Sequence, residues 1–249
     1  MLPSVLVYCG LLGIFLGGVS LLRPLRFLRI RSRRQAAIFL ALGLTVAAAG
    51  FAFPARETRI AGAHTELDEF APVYQFHEVH SIRVNAPRER VYGAIKQVTA
   101  DEIRFFRTLV WVRRLGRPGP ESILNPPEDA PLLEVATRTS FLLLAEEPGR
   151  EIVMGTVVAA PPGFLPRSNP TGEDFKALRA PGFAVAAMNF LVEEDGPGAC
   201  LVTTETRIYA ADTPARRRFS VYWRLIYPGS ALIRMMWLRA VKLRAESAG

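Results

Sequence analysis

Cysteine and histidine are scarce, with 2 and 3 copies in a chain of 249 residues. Cys9 lies in an apolar run and Cys200 far beyond it, so neither a disulfide framework nor a cysteine metal site follows. His77 and His80 stand three apart in an expected strand, where alternation sends them to opposite faces; with His64 upstream, they cannot jointly hold one ion. There is no G-x-S-x-G elbow, Walker loop, dinucleotide glycine fingerprint, H-E-x-x-H or C-x-x-C pair. No metal and no cofactor are therefore expected. Acidic residues are also missing from the start of the chain, the first being Glu57.

The chain opens instead with uncharged runs at 2–22 and 36–53. Each is near the roughly 20 residues that cross a hydrocarbon layer as helix. The connector 23–35 carries Arg23, Arg26, Arg29, Arg31, Arg33 and Arg34 with no acid. This pattern predicts a transmembrane hairpin over residues 1–54. A cleaved signal fits less well, because MLPS offers no basic start and no small-residue cleavage pattern precedes the arginines. Gly13-x-x-x-Gly17 and Gly43-x-x-x-Ala47 would permit close helix approach. Arginine retention places the connector on the cytoplasmic side, so an integral cytoplasmic membrane protein with an extracytoplasmic distal domain is expected.

The hairpin also absorbs most of the formal charge of +8. Beyond it, 25 basic residues face 23 acidic ones, which removes the support for a nucleic-acid partner. The remaining length suffices for one mixed domain.

Residues 55–74 are expected as a linker with a short helical piece. A strand at 75–85 follows, with Ile82 and Val84 on one face and Val79 on the other. Ala86-Pro87 opens a helix whose Val91, Ala94, Ile95 and Val98 share a stripe. Thr99 and Glu102 suggest a capping box for a helix running from 100 to about 115. A short helical segment is expected around 128–136. The period then changes to two: 137–146 pairs with 151–159, and 182–193 with 199–209, each across a turn. Segment 160–181 is long and irregular, with a helical turn at Asp174–Leu178. Asp212 caps a long C-terminal helix, which Pro228-Gly229 is expected to kink or interrupt.

The stretches HSIRVNAPRERVYGAI and TETRIYAADTPARRRFSVYWRLIYPGSALIRMMWLRAVKLRAE carry a resemblance. Residues 75–246 resemble the START-like superfamily of polyketide cyclases, lipid-transfer domains and allergen-type carriers. The resemblance implies an α+β helix-grip fold, an antiparallel sheet curved around the C-terminal helix, preceded here by the two-helix transmembrane hairpin. It also implies a sheet–helix cavity for a small apolar ligand; the leading expectation is that this cavity takes a hydrophobic small molecule or lipid, with the C-terminal helix and the 160–181 loop, in which this chain departs from the simplest members, as its gate. Tyr92, Phe106, Trp111, Phe141, Met154, Phe183, Tyr222 and Trp223 are the large side chains expected inside, and core packing accounts for each equally well. Thr204, if the threonines of the last strand face inward, is a polar point there, and Asn189 either orients a ligand or only satisfies a backbone group, the two readings standing level. Glu205 and Arg207 share the other strand face, where an ion pair on a solvated surface is the simpler reading. Two other functions stay open: a cyclase- or hydratase-type enzyme using His80, Glu205 or Tyr222 as acid–base groups, and a protein-interaction module with a filled cavity. Nothing in the sequence signals an oligomeric state.

Overall fold

The computed structural model describes residues 2–25 and 30–247; Arg26 and Arg29 of the basic connector, and Gly249 at the C-terminus, lie outside the described residues. The chain divides into two compact units, one made of residues 1–55 with 218–228, the other of 56–217 with 229–249.

In the first unit, α1 (Leu2–Leu22) and α2 (Arg33–Ala52) are both long and apolar enough to cross a membrane by length and composition. Helix α2 starts earlier than the uncharged run because Ser32 caps it, its side chain accepting from the Gln35 backbone. Small residues make the contact between the two helices. A Cβ added at Gly10 would lie 2.4 Å from the Ala47 nitrogen, and one at Gly43 would lie 2.5 Å from the Ile14 nitrogen. Both expected small-residue motifs thus take part, and Gly10 joins them. Large apolar side chains point outward, with Leu12, Phe15, Ile38 and Leu42 each more than half exposed. Residues 218–228 complete the unit, where Tyr8 donates to the Leu225 carbonyl and Arg224 donates to the Phe51 and Phe53 carbonyls at the end of α2.

The second unit begins with β1 (Thr58–Arg59), α3 (Glu66–Phe70) and β2 (Val73–Tyr74). The stretch expected as a linker therefore contains the anticipated helix and, in addition, an antiparallel β1–β2 pair. Then come β3 (Phe76–Val84), α4 (Arg88–Gln97), α5 (Phe106–Arg113), α6 (Leu132–Thr139), β4 (Leu142–Glu147), β5 (Glu151–Ala159), α7 (Gly172–Ala177), β6 (Ala184–Glu194), β7 (Cys200–Ala210) and α8 (Thr213–Ser247). Helix α5 starts later than the capping signal suggested. Glu102 does accept from the Thr99 backbone at 2.7 Å, but Phe105 adopts a left-handed φ of 64°, so 100–105 forms turns instead of helix. Helix α8 runs unbroken through Pro228.

The five-stranded sheet has the order β3-β7-β6-β5-β4, with every neighbouring pair antiparallel. The first strand thus pairs with the last, and the second half of α8 packs on the sheet. This is the helix-grip arrangement, α+β, with two apolar helices ahead of it. Strand alternation gives the sheet two covered faces. On the face toward α8, Val84, Ile152, Met154, Met188, Phe190, Val192 and Val202 pack with Trp237, Leu238 and Val241. On the opposite face, Val153, Val185 and Ala187 pack with Leu67 and Phe70 of α3 and Phe175 of α7. Gly155 makes room there: a Cβ would sit 2.6 Å from the Phe175 ring.

Two polar links anchor α3. Glu151, fully buried, accepts from the Glu66 backbone at 2.8 Å and from Asn189 Nδ2 at 2.6 Å. Asp68 closes the capping box with Thr65 and pairs with Arg207 at 2.7 Å. Arg207 also pairs with Glu205, which His77 contacts at 2.8 Å. The Glu205–Arg207 pair was expected on a solvated surface; α3 covers it, leaving Arg207 5% exposed. Burial raises the pKa of Asp68 and Glu205, but hydrogen bonds outweigh it. Those from the His64 and Thr65 backbone and from Arg207 hold Asp68 low, and those from His77 and Arg207 hold Glu205 low.

Arg207→Met should destabilise the domain by about 3–5 kcal/mol in denaturant unfolding, since it strands a buried carboxylate. The pH dependence follows from both carboxylates titrating below their ordinary values of 3.8 and 4.5. Their contribution is complete above those values and is lost as pH falls through them toward the lowered folded-state values. Thermal unfolding followed from neutral to acid pH should show that loss in the native chain and a flatter slope in Arg207→Met. In the first unit, Gly43→Ile should separate α1 from α2, read as a lower midpoint of SDS-induced unfolding; an unchanged midpoint would refute the close packing.

Candidate functional site

The face of α8 turned toward the sheet carries Ser230, Arg234, Trp237 and Val241, at the spacing of four, three and four that keeps residues on one side of a helix. Opposite them, β3 presents Glu78 and His80, which pair in register with Thr206 and Thr204 of β7; those in turn face Met188 and Phe190 of β6. An otherwise apolar interior thus contains a group of polar side chains. Glu78 is 3% exposed and commits both oxygens, one to His80 Nε2 at 2.9 Å and the other to the Ser230 hydroxyl at 2.9 Å. The Thr204 hydroxyl donates to the Asn189 carbonyl at 2.8 Å and accepts from Arg234 at 3.2 Å. Arg234 directs a second N–H at the Met188 sulfur at 3.0 Å, and its guanidinium lies 6.0 Å from the centre of the Trp237 ring. Trp237 meets Phe190 edge to face, with centroids 5.0 Å apart.

The electrostatics of Arg234 are unusual. By surface area it is half-buried, yet protein surrounds its guanidinium closely enough that burial lowers its pKa. The charge of Glu78 works against that shift and the charge of Arg113 adds to it. The Trp237 indole Nε1 is buried with no acceptor among the described residues. A site of this kind, apolar with a few convergent polar groups, suits an amphipathic ligand better than a purely hydrocarbon one.

The residues expected to line one cavity are dispersed. Met154, Phe106 and Tyr92 are buried in the core on the α8 side, with Phe141 packed against it. Tyr92 there donates to Glu146 at 2.6 Å, and burial together with Glu146 pushes its pKa well above the usual tyrosine value. Thr204 belongs to the polar group. Trp111 does not face inward: it is 64% exposed on α5, beside a cleft of about 240 Å³. Phe183 precedes β6 and meets Phe164 edge to face at 5.0 Å. Asn189 points to the opposite face of the sheet, where it satisfies Glu151 and the Glu205 backbone. Tyr222 and Trp223 fall in the other unit, with the apolar helices.

The three acid–base candidates are not brought together. His80 faces α8, Glu205 faces α3, and Tyr222 belongs to the first unit. Nor does the 160–181 segment gate the α8 side through its helix; α7 buries Phe175 on the opposite face. Glu78, Ser230, Arg234 and Trp237 were not among the expected site residues. A signal for them exists, since Glu78 shares the inward register of Ile82 and Val84, and Arg234 interrupts the apolar stripe of the last helix.

No protein-family model matches the chain, and no curated protein sequence does. Among solved structures, the chain is similar to protein MLL2253 from Mesorhizobium loti, at 12% identity and a TM-score of 0.32, over 70% of this chain and 99% of that one. It is similar to CalU16 from Micromonospora echinospora at 14% identity and a TM-score of 0.25, over 77% and 95%. Human STARD10 gives 8% identity and a TM-score of 0.25, over 66% and 62%. The fold assignment rests on the strand order and on the placement of α8.

Proposed function

We propose that this chain is a membrane-anchored helix-grip protein that binds a hydrophobic small molecule or lipid between its sheet and α8. The observation that carries the reading is the buried Trp237 Nε1–H, which has no acceptor among the described residues, next to Arg234, whose side-chain partners are the Thr204 hydroxyl and the Met188 sulfur, beside the apolar Met188 and Phe190. Packing alone would favour apolar side chains at those positions, because a buried donor without an acceptor costs about 1–3 kcal/mol.

The anchor is supported by the arrangement of the first unit. Small residues lie between α1 and α2 while Leu12, Phe15, Ile38 and Leu42 face out, the reverse of a water-soluble helix pair and the pattern of helices packed in lipid. Thr45 donates to the Ala41 carbonyl within its own helix, as a hydroxyl in hydrocarbon must. The arginine connector belongs on the cytoplasmic side, which puts the helix-grip domain outside the cytoplasm. A binding site held beside a bilayer is then supplied from that bilayer.

The full chain, extracted from membranes in neutral detergent and examined by native mass spectrometry, should retain an adduct of lipid size; a chain that emerges empty overturns the binding reading. For topology, an alkaline phosphatase reporter fused after Gly249 should be active, and activity restricted to a cytoplasmic reporter overturns the orientation.

A further inference from the structure

Among the described residues, Arg234 has no carboxylate partner. A guanidinium offers five N–H donors, and among the described residues two of those on Arg234 are directed at a hydroxyl and a thioether. Glu78 is the acid whose charge acts on it, but both Glu78 oxygens are taken by His80 and Ser230. Three residues along the same helix face, Trp237 is 2% exposed and its Nε1–H has no acceptor among the described residues. The two side chains are neighbours, the guanidinium lying 6.0 Å from the ring centre. An unmet indole donor and a guanidinium with no carboxylate partner among the described residues therefore stand as neighbours beside the apolar side chains of Met188 and Phe190.

A structural role accounts poorly for this arrangement. Drawing a cation out of water is costly unless an anion compensates, and a methionine of similar length would fill the same space without that cost. Neutral and soft acceptors recover little of it. A planar fork of donors matches the oxygens of a carboxylate or phosphate, and such charge-assisted bonds are about twice as strong as neutral ones.

Building on the binding reading above, we propose that the ligand is an amphiphile with an oxyanion head, which Arg234 and Trp237 Nε1 hold while its apolar body lies along Met188 and Phe190. Thr204, already bonded to Arg234, orients the guanidinium as a positioning residue. A free fatty acid and an anionic phospholipid present the same head chemistry.

The test uses the full chain in a neutral maltoside detergent, with oleate, oleyl alcohol and dioleoylphosphatidylglycerol offered at equal concentration and bound species counted by native mass spectrometry. The native chain should retain an anionic species about tenfold over the alcohol. Retained oleate identifies a free carboxylate as the head, and retained phosphatidylglycerol a lipid phosphate. Arg234→Met should still retain oleyl alcohol but lose the preference, and Trp237→Phe, which keeps the ring and removes the donor, should reduce it several-fold. Equal retention of oleate, phosphatidylglycerol and the alcohol by the native chain overturns the oxyanion proposal while leaving the binding reading standing. A preference unchanged in Arg234→Met overturns it too. Should none of the three bind, both readings fall. If circular dichroism shows that Arg234→Met does not fold, Trp237→Phe decides: an unaltered preference there refutes the proposal.

Discussion

The alternation of side chains along β7 constrains the whole helix-grip domain. Successive residues of a strand point to opposite faces, so Thr204 and Thr206 look toward α8 while Glu205 and Arg207 look away. Strand β6, beside it in the sheet, and β5 beyond β6 carry apolar residues in both registers. Such a sheet cannot leave either face in water. One side is closed by α8 with α4, α5 and α6, and the other by α3 and α7. The polar residues of β7 are thereby buried on both sides and must find partners on both.

The two faces meet that requirement differently. Away from α8, the network closes: Arg207 has Asp68 and Glu205, Glu151 has the start of α3 and Asn189, and every charge has a near neighbour of opposite sign or a backbone donor. Such a network rigidifies a docked helix and has little to offer a ligand. Toward α8, Glu78 is satisfied by His80 and Ser230, but among the described residues Arg234 meets a hydroxyl and a thioether and no carboxylate, and the Trp237 Nε1–H meets no acceptor. The difference in completeness, more than any difference in polarity, separates the structural side of the sheet from the candidate binding side.

Much of this was legible in the chain. The four long strands, the helix after Ala86-Pro87, both hairpins and the C-terminal helix follow from periodicity and turn residues, which are local properties. The small-residue contact of the first unit was legible in the same way, through Gly13, Gly17, Gly43 and Ala47. What misled was anything that depended on the other side of a strand. Glu205 and Arg207 read as solvated because nothing local announces that α3 covers them, although the Thr65–Asp68 capping box marks a helix there. Asn189 stood level between a ligand contact and a backbone partner; it takes the second role, with the Glu205 backbone, and its further partner Glu151, thirty-eight residues away, has no local signal. Tyr222 and Trp223 share an α8 stripe with Trp237, and only the division of that helix between two units separates them.

The sequence by itself determined the membrane-length apolar helices, the near-neutral charge of the rest, the order of the main elements and the alternation of Ile82, Val84 and Val79 along the first long strand, since these depend on neighbours within a few positions. Tertiary structure alone decided which inward residues meet. Glu78, Thr204, Met188, Arg234 and Trp237 come from three strands and one helix. Their assembly depends on antiparallel pairing across more than a hundred residues, and on α8 lying over that pairing. No local pattern encodes that a cation in one segment will face a thioether, a hydroxyl and an unpartnered indole from others, because the shortage of acceptors around Arg234 exists only once the surrounding elements have packed.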